Sequence, residues 1–488
     1  MSYLQLLKLA SPEAVVVLTA LVVLSIGLLA KRASLACPFV SGFGLVIAVV
    51  AILILPRNET MFGGMLVISP LTSLFKIICL ALAFFTILLT QAGKEPRHIG
   101  EYLALVLLAT VGLMLLVGSE ELLMIFIGLE LLGLSLYVIT AFDKDDVRSA
   151  EAGLKYFLFG STSSAFTLFG ISLIYGMTGT TSLAQIGAKL VTTSVQTLLA
   201  VGVVMLLVGF AFKIAAAPFH LWAPDAYQGA PVPSAAFIAS GSKVASFVVL
   251  GKIVLVGFAS VHGNAGWHVM SAGWSPLLAA LAALSIVIGN LVALAQLNVR
   301  RLLAYSAVAH AGYTLIGLVA GDRDGFSAAL FYTTVYAITL VGAFGVVGVV
   351  RQQTGGDDFS NFRGLASSSP LLGGCMAVFM LSLAGIPPLA GFFGKFYLFS
   401  AALRADGNHA LLWLVALALV DSFVSLYYYL LVLKAIFVDE PSLPGAVSKE
   451  HVRPDFLQRA TVATLAAAVV LLGVLPNILA SRIVAAIA

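Results

Sequence analysis

The stretch "GFAFKIAAAPFHLW", Gly209–Trp222, places a charged side chain and a helix breaker inside a long apolar run. Lys213 carries a charge that a hydrocarbon core excludes, and Pro218 lacks the backbone N–H that a continuing helix needs. The helix must therefore end or bend near Pro218. Broken helices at membrane depth are tolerated only where protein buries them or where they line a wet cavity. The stretch predicts a polytopic membrane protein with a functional interruption in one helix.

The composition indicates a membrane protein along the whole chain. Of 488 residues, 61% are hydrophobic and only 10% are charged, and the mean hydropathy is +1.08, values typical of integral membrane proteins. Each apolar run is long enough to cross a hydrocarbon core of about 30 Å at 1.5 Å per residue. We predict an all-α polytopic fold with about 14 transmembrane helices. They cover residues 14–30, 36–55, 70–91, 101–117, 121–141, 152–177, 196–222, 231–259, 275–295, 300–320, 326–350, 372–402, 409–436 and 459–484.

The runs divide the chain into four parts. Residues 1–100 are predicted to form an N-terminal three-helix segment, and residues 101–260 a first unit of helices 4–8. Residues 275–436 form a second unit of helices 9–13, and residues 437–488 a C-terminal loop with helix 14. Little chain remains for a soluble domain.

Several classes of function are excluded by the composition of the loops. No loop carries a phosphate-binding glycine motif or a Ser/His/Asp arrangement, and no basic cluster indicates nucleic acid. Cys37, Cys79 and Cys375 lie in apolar spans at unrelated spacings, so they predict no disulfide framework and no metal or iron–sulfur site. We expect no cofactor in this chain and place its chemistry inside the bilayer.

The basic residues predict how the chain is oriented, because short loops rich in Lys and Arg stay in the cytoplasm. Loops after odd-numbered helices carry twelve such residues and loops after even-numbered helices carry four. The odd loops are therefore expected in the cytoplasm, with both termini on the opposite side. The twelve are Lys31, Arg32, Lys94, Arg97, Lys144, Arg148, Arg300, Arg301, Arg351, Arg363, Lys449 and Arg453, and the four are Arg57, Lys189, Arg323 and Arg404.

Three ionisable residues lie near the middle of apolar spans, where a charge costs about 2.5–3.5 kcal/mol on insertion scales. Glu130 and His310 are each nine residues into a helix, roughly 13–14 Å at 1.5 Å per residue. Lys243 is too deep for comfortable snorkelling. The plainer alternatives are a protonated, locally bonded glutamate and a histidine that only packs.

Two more lysines adjoin helix breaks. Lys213 precedes Pro218, and Lys395 follows Pro387 and Pro388 in "AGIPPLAGFFG". Glycine and proline together predict a second broken helix at this point. The alternative for Lys213 is snorkelling to the cytoplasmic interface beside a packing kink.

Weaker candidates complete the set. Lys155 is within two turns of a helix end, so its alternative to a functional role is snorkelling, because Glu151 one turn earlier could neutralise it only in part. Asp421 is a further carboxylate in an apolar span, with a hydroxyl-bonded or capping role as its alternative. His220 follows the first break. We expect Lys252 to snorkel toward the far interface.

The strong candidates repeat along the chain. Glu130 and Lys213 are 83 residues apart, and His310 and Lys395 are 85 apart. An offset of about 180 residues also maps the first proline break onto the second. Because each unit has five helices, an odd number, the second unit begins on the opposite side of the membrane. The pattern predicts two inverted five-helix repeats, each with one broken helix.

This arrangement favours a proton relay. A carboxylate about 6–7 Å from a lysine ammonium contributes roughly 2.5 kcal/mol at an effective dielectric near 20. Moving the carboxylate by a few ångströms would load or unload the lysine's proton. The broken helices supply backbone groups that hold connecting water and permit small movements.

Four phrases resemble one family across nearly the whole chain: "GLELLGLSLY", "FKIAAAPFHLWAPDAYQGAPVPSAAFIASGSK", "RRLLAYSAVAHAGY" and "LAGIPPLAGFFGKFY". They are similar to the antiporter-like, Mrp-type membrane subunits of bacterial NADH:quinone oxidoreductase, respiratory complex I. The phrase from Pro224 to Pro233 is most similar to N-type members, because it differs in the sister subunits M and L.

The resemblance implies a fold of fourteen helices and a site. In this family the counterparts of Glu130 and Lys213 pair, and those of Lys243, His310 and Lys395 continue the relay. Some sister subunits carry an ionisable group on the eleventh helix, where this chain offers Tyr332 and Tyr336. Asp421 has no secure counterpart.

The resemblance also implies an assembly. Flavin, iron–sulfur clusters and quinone are expected in partner subunits, with no redox centre in this chain. The implied partners are other membrane-arm subunits, including the neighbouring subunit M and small K- and J-type subunits, in a bacterial inner membrane with both termini periplasmic. Two other functions stay open: a subunit of a cation/proton antiporter without redox coupling, and a structural spacer.

Overall fold

The computed structural model of the chain describes residues 3–30, 33–90, 97–192, 196–405, 409–440 and 456–487. Five basic residues behind the predicted orientation lie outside the described residues, namely Lys31, Arg32, Lys94, Lys449 and Arg453.

The described ranges contain twenty α-helices and one two-stranded antiparallel sheet, β1 (Glu59–Met61) and β2 (Leu66–Ile68). The helices are α1 (Tyr3–Leu9), α2 (Ser11–Leu29), α3 (Ala33–Ile54), α4 (Pro70–Thr90), α5 (Ile99–Val117), α6 (Leu122–Thr140), α7 (Val147–Thr178), α8 (Leu183–Thr192), α9 (Thr197–Lys213), α10 (Trp222–Gly229), α11 (Val232–Lys252), α12 (Trp274–Leu294), α13 (Val299–Val319), α14 (Arg323–Thr354), α15 (Leu365–Ser368), α16 (Pro370–Ala384), α17 (Ala390–Arg404), α18 (Leu412–Phe437), α19 (Phe456–Val474) and α20 (Asn477–Ile487).

Fourteen membrane crossings follow from these helices. Twelve are continuous helices, long and apolar enough to cross by themselves. They are α2 to α7, α11 to α14, α18 and α19. The other two are interrupted, one built from α9 and α10 and the other from α16 and α17. The predicted all-α polytopic class is confirmed, and both predicted breaks separate helices.

Three elements were not predicted from hydropathy. The short helix α8 lies between two crossings, and β1 pairs with β2 in the loop before α4. The run over residues 459–484 is two helices, because α19 ends at Val474 and α20 begins at Asn477 after Pro476. Proline lacks a backbone N–H and ends the first helix, although hydropathy continues across it.

Three helices form the centre of the molecule. In their apolar windows α11, α13 and α14 are 94%, 94% and 89% buried within the protein, whereas α2, α7 and α12 are 33%, 33% and 44% buried. The outer helices turn apolar faces to the lipid, but the central three are surrounded by protein. Lys243 in α11 and His310 in α13 therefore lie on helices enclosed by other helices.

The two breaks have similar backbone geometry. Helix α9 ends at Lys213 and Ala215 has a φ of +58°, while α16 ends at Ala384 and Gly385 has a φ of +85°. A left-handed residue after the last turn is a common way to end a helix, and glycine adopts it without strain. Each break also contains one cis peptide bond, Ala217–Pro218 and Pro387–Pro388.

Candidate functional site

Glu130 and Lys213 line the same small cavity. Its volume is about 10 Å³, which is close to the space that one water molecule needs. Lys213 is 6% exposed, and its Nζ has no hydrogen-bond partner in the described part of the chain. The Ser164 hydroxyl donates to Glu130 Oε1. A buried ammonium and a hydrogen-bonded carboxylate thus face one polar space.

An aromatic cluster holds the Lys213 end of α9 in place. The ammonium lies 5.7 Å from the centre of the Tyr137 ring, within the range of a cation–π contact. Tyr137 packs edge-on against Tyr156, with ring centres 4.7 Å apart, and Tyr156 stacks on Trp222 at 4.1 Å. The indole Nε1 of Trp222 donates to the Phe212 carbonyl across the break. These contacts join α6, α7, α9 and α10.

Lys243 belongs to α11, and its side chain contacts the other two central helices, α13 and α14. It is 2% exposed, and its Nζ donates to the Ala307 carbonyl of α13 at 2.5 Å. The same ammonium lies 5.4 Å from the centre of the Tyr336 ring in α14. No acidic side chain forms a salt bridge with it in the described ranges. Its charge is therefore stabilised by dipoles and an aromatic face.

Tyrosine hydroxyls bind both ring nitrogens of His310. The Tyr332 hydroxyl lies 2.7 Å from Nδ1, and the Tyr429 hydroxyl lies 3.0 Å from Nε2. The Tyr429 hydroxyl also lies 2.6 Å from Ser306 Oγ. Either nitrogen can carry the proton with a partner in place, so the imidazole can exchange one without losing its hydrogen bonds.

Lys395 reaches back across the second break. Its Nζ donates to the Ala384 carbonyl at 3.0 Å, the last residue of α16, and to Ser422 Oγ at 2.8 Å. A cation at a helix C-terminus is favoured by the aligned peptide dipoles. The ammonium also lies 5.0 Å from the centre of the Tyr313 ring. Lys395 therefore forms a hydrogen bond across the second break. Lys213, by contrast, is the last residue of the helix that precedes the first break.

Two tyrosines connect these groups into a line. Tyr336 touches Lys243 and also lies 4.9 Å from the His310 ring, and Tyr313 lies 5.7 Å from His310 and touches Lys395. The structure therefore brings together three of the predicted residues through side chains that sequence reasoning left without a role. The only signal was their position on the apolar helices that carry the candidates.

Lys155 lies apart from this line. It is paired with Glu151 at 2.7 Å and Asp225 at 2.8 Å, and Asp225 also pairs with Arg301 at 2.8 Å. The Lys155 side chain is 41% exposed. The ion pairs join α7, α10 and α13. The sequence indicated Glu151 as a partner of Lys155, and the structure adds Asp225.

Among the described residues, His220 and Asp421 form no hydrogen bond or ion pair with the members of this line. His220 is 6% exposed, its Nδ1 has no partner within the described residues, and its ring lies 6.2 Å from that of Tyr305 in α13. Asp421 is also 6% exposed, but it is the next residue, Ser422, that contacts Lys395.

The expected snorkelling of Lys252 is wrong. The side chain is 4% exposed, donates to the Val117 carbonyl at 2.9 Å and lies 3.4 Å from Glu120. The end of α5 and the next loop supply a carbonyl and a carboxylate, which removes the need to reach the lipid interface. Lys76 is buried in the same way, 2.6 Å from Glu13.

The chemistry available to these residues is proton transfer. Carboxylate, ammonium, imidazole and hydroxyl groups exchange protons over hydrogen-bond distances or through single waters. Within the described ranges no group of three or more His, Cys, Asp or Glu residues is arranged to hold a metal ion.

Comparisons with known proteins identify the family of this chain. The model of the family described as "NADH:quinone oxidoreductase/Mrp antiporter, TM" matches residues 119–424. The chain is 47% identical to the NADH-quinone oxidoreductase subunit N 2 of Acidobacterium capsulatum, over 98% of each chain.

Two solved structures share the fold. One chain of respiratory complex I from Thermus thermophilus is 33% identical, with a TM-score of 0.80 over 96% of this chain and 98% of that one. One chain of the Mrp complex from a Dietzia species has a TM-score of 0.84 over 99% of this chain and 97% of that one, at 22% identity. The second likeness concerns the fold alone.

Proposed function

Because this chain belongs to the NADH:quinone oxidoreductase/Mrp antiporter family, in the branch of the N subunits, we propose that it is a proton-translocating membrane-arm subunit of NADH:quinone oxidoreductase. It couples electron transfer from NADH to quinone to proton movement through the bilayer. The observation that carries the proposal is the line of buried ionisable groups, with Lys243, His310 and Lys395 joined by tyrosines.

The first unit holds the switch of the relay. Glu130 and Lys213 share a cavity with room for about one water, so a proton passes between them in one or two hops. Lys213 stays charged while Glu130 is a carboxylate and is easier to deprotonate when that charge is neutralised or moves away. The break at Pro218 allows the end of α9 to shift, and the contacts of the aromatic cluster keep that movement small.

The central line carries the proton onward. Lys243 and His310 are separated by the Tyr336 ring, and His310 keeps a hydroxyl on each nitrogen. Lys395 exchanges through Ser422 and through the polar groups around Tyr313. Each transfer needs only a change of hydrogen-bond direction or one bridging water.

The two units are two inverted five-helix repeats in this proposal, residues 101–260 and 275–436, each with one broken helix. The similar left-handed turns at Ala215 and Gly385 support the assignment. The N-terminal segment 1–100 and the C-terminal part 437–488 flank them. The excess of Lys and Arg in the odd-numbered loops supports an orientation with both termini on the periplasmic side of a bacterial inner membrane.

The assembly completes the reaction. The electron-transfer groups, flavin, iron–sulfur clusters and quinone, belong to partner subunits. Neighbours in the membrane arm include subunit M and the small K- and J-type subunits. Relatives named as NADH-quinone oxidoreductase subunits support the assembly as a class.

The test is NADH-driven proton pumping in membrane vesicles that carry Lys213→Ala or Glu130→Ala, with complex assembly followed on native gels. We expect an assembled complex whose NADH:quinone turnover and pumping fall together, because the relay and the electron transfer are coupled. Glu130→Asp, which keeps the carboxylate, should retain part of the activity. Normal pumping in both alanine variants would refute the relay.

The second candidate is a cation/proton antiporter subunit without redox coupling, because the description of the matching family names both NADH:quinone oxidoreductase and Mrp antiporter. The two functions differ in their partners. Co-purification of the tagged chain with flavin and iron–sulfur subunits supports the first, and sodium-dependent proton exchange in vesicles without NADH supports the second.

A further inference from the structure

A large cavity opens on the side of the membrane predicted to be cytoplasmic. Its volume is about 650 Å³. It lies between the start of α5, the loop between α6 and α7, and the final turns of α14. Charged side chains line it, and one pair, Arg97 and Asp145, forms an ion pair at 2.8 Å. Other ionisable groups on its walls are His98, Glu101, Asp143, Lys144, Asp146, Arg351 and the buried Arg300, whose guanidinium donates to the Tyr227 and Ala230 carbonyls.

The cavity extends into the membrane along α14. Its lining runs from Gly355 to Phe344 on this side of the protein, a distance of about 16 Å at 1.5 Å per residue. Gly345 and Gly348 lack side chains, which leaves this wall open. The end of α10, at Gly229, forms the facing wall. The cavity therefore reaches the central helices.

Two tyrosines continue from this inner end toward Lys243. The Tyr227 ring contacts the ring of Phe344, with centres 5.9 Å apart. Tyr336 lies two turns further along α14, about 12 Å from Phe344 at 1.5 Å per residue, and its ring lies 5.4 Å from Lys243 Nζ. Tyr227 and Tyr336 are both buried.

Neither hydroxyl has a hydrogen-bond partner in the described part of the chain. Tyr156, which lies in the aromatic cluster beside Lys213, shares this property, whereas Tyr102 is bonded to Ser234 and Tyr313 to Asn290. An unpartnered buried hydroxyl destabilises a fold, so its presence calls for water or for a function. Two such hydroxyls between a cavity and a buried lysine indicate a polar path.

We propose that this cavity is the proton inlet of the chain, and that the hydroxyls of Tyr227 and Tyr336, with water between them, carry protons from its inner end to Lys243. Each hydroxyl accepts a proton on its oxygen from one side and releases its own on the other, so neither tyrosine changes charge overall. Protons then enter at the boundary between the two units and join the relay at Lys243. This inference rests on the proposed function and adds the entry route to it.

The test uses inverted membrane vesicles that contain the assembled complex, because their cytoplasmic face is then exposed to the medium. Tyr227→Phe and Tyr336→Phe remove one oxygen each and keep the ring beside Lys243. We expect the double variant to lose about tenfold or more in NADH-driven proton uptake near pH 8. The loss should shrink near pH 6, where about a hundredfold more protons reach the inlet. Uptake at the normal rate at both pH values, or an equal loss at both, would overturn the proposal.

Two further variants make the result specific. A Cβ on Gly348 lies 3.5 Å from Val232 and meets no closer atom, so Gly348→Leu fits its backbone and fills the cavity, and it should show the same pH-dependent loss. Tyr397 lies on α17, outside the cavity lining, and its ring packs against Phe331 of α14. Tyr397→Phe removes one hydroxyl and should pump normally.

Lys243→Ala distinguishes a failure of the proposed relay from a failure of the proposed inlet. Pumping that survives this change refutes the proposed relay itself. Pumping that is lost in Lys243→Ala but normal in the double tyrosine variant refutes only the inlet.

Discussion

Ser285→Ala tests whether the second unit holds the first break in position. The Ala217 backbone N–H donates to Ser285 Oγ at 2.8 Å, and Ser285 lies on α12 and is fully buried. This bond joins the broken crossing that ends in Lys213 to a helix of the other unit. The N–H groups of Ile214, Ala215 and Ala216 bond carbonyls of α9 itself, at 2.8–3.0 Å. The Ala217 N–H instead bonds a side chain of another crossing.

The size of the effect follows from the burial of the donor. Loss of the serine oxygen leaves the Ala217 N–H without an acceptor, which costs about 1–3 kcal/mol. At about 1.36 kcal/mol per tenfold change, the equilibrium between the docked and the opened break shifts roughly 5- to 150-fold. The opened form moves the end of α9 and the Lys213 ammonium away from the Glu130 cavity.

Hydrogen exchange by mass spectrometry on the assembled complex measures this shift. Peptides that cover residues 210–222 should exchange faster in Ser285→Ala, and NADH-driven pumping should fall in the same preparation. Ser275→Ala is the matched control, because Ser275 is a buried serine on α12 that bonds the Val319 carbonyl at 3.2 Å, away from the break. Unchanged exchange over 210–222 in Ser285→Ala would show that the hydrogen bond does not hold the break.

Two further changes probe other contacts. In Gly160→Ala the new Cβ overlaps the Tyr137 hydroxyl, so the Tyr137 ring must move away from Lys213. We expect an assembled complex whose pumping is reduced about tenfold, because a cation–π contact contributes about 1–2 kcal/mol. Normal pumping would contradict this. Asp225→Asn removes the shared ion-pair partner of Lys155 and Arg301. Because these side chains are partly exposed, the temperature at which half of the complex disassembles should fall only slightly, and variant and parent should disassemble at the same temperature in high salt. A large loss that persists in high salt would mean that the pairs are not screened.

The ionisable residues of the site were predictable because the membrane makes charge costly. Glu130, Lys213, Lys243, His310 and Lys395 each lie within apolar spans, and the structure buries or half-buries every one of them. Proline has a similarly local effect, since a missing N–H ends a helix whatever surrounds it. Both breaks were predicted for this reason.

The partners of these residues were not predictable in the same way. Tyrosine in an apolar helix is ordinary, and only the packing of α13 against α14 brings Tyr336 to Lys243 and His310. Lys252 shows the same limit, because its depth suggested the lipid interface while the end of α5 and Glu120 supply its partners. Side-chain partners depend on which helix faces meet, and hydropathy does not encode that.

The sequence by itself determined the membrane class, the number of crossings, both breaks and the positions where charge is buried. These properties depend on the free energy of moving each residue from water to hydrocarbon and on the local chemistry of proline. Tertiary structure alone decided that tyrosines join the central charges, that Ser285 holds the first break, and that a cavity reaches toward Lys243. Those features arise from contacts between residues far apart in the chain, which form only when the helices pack.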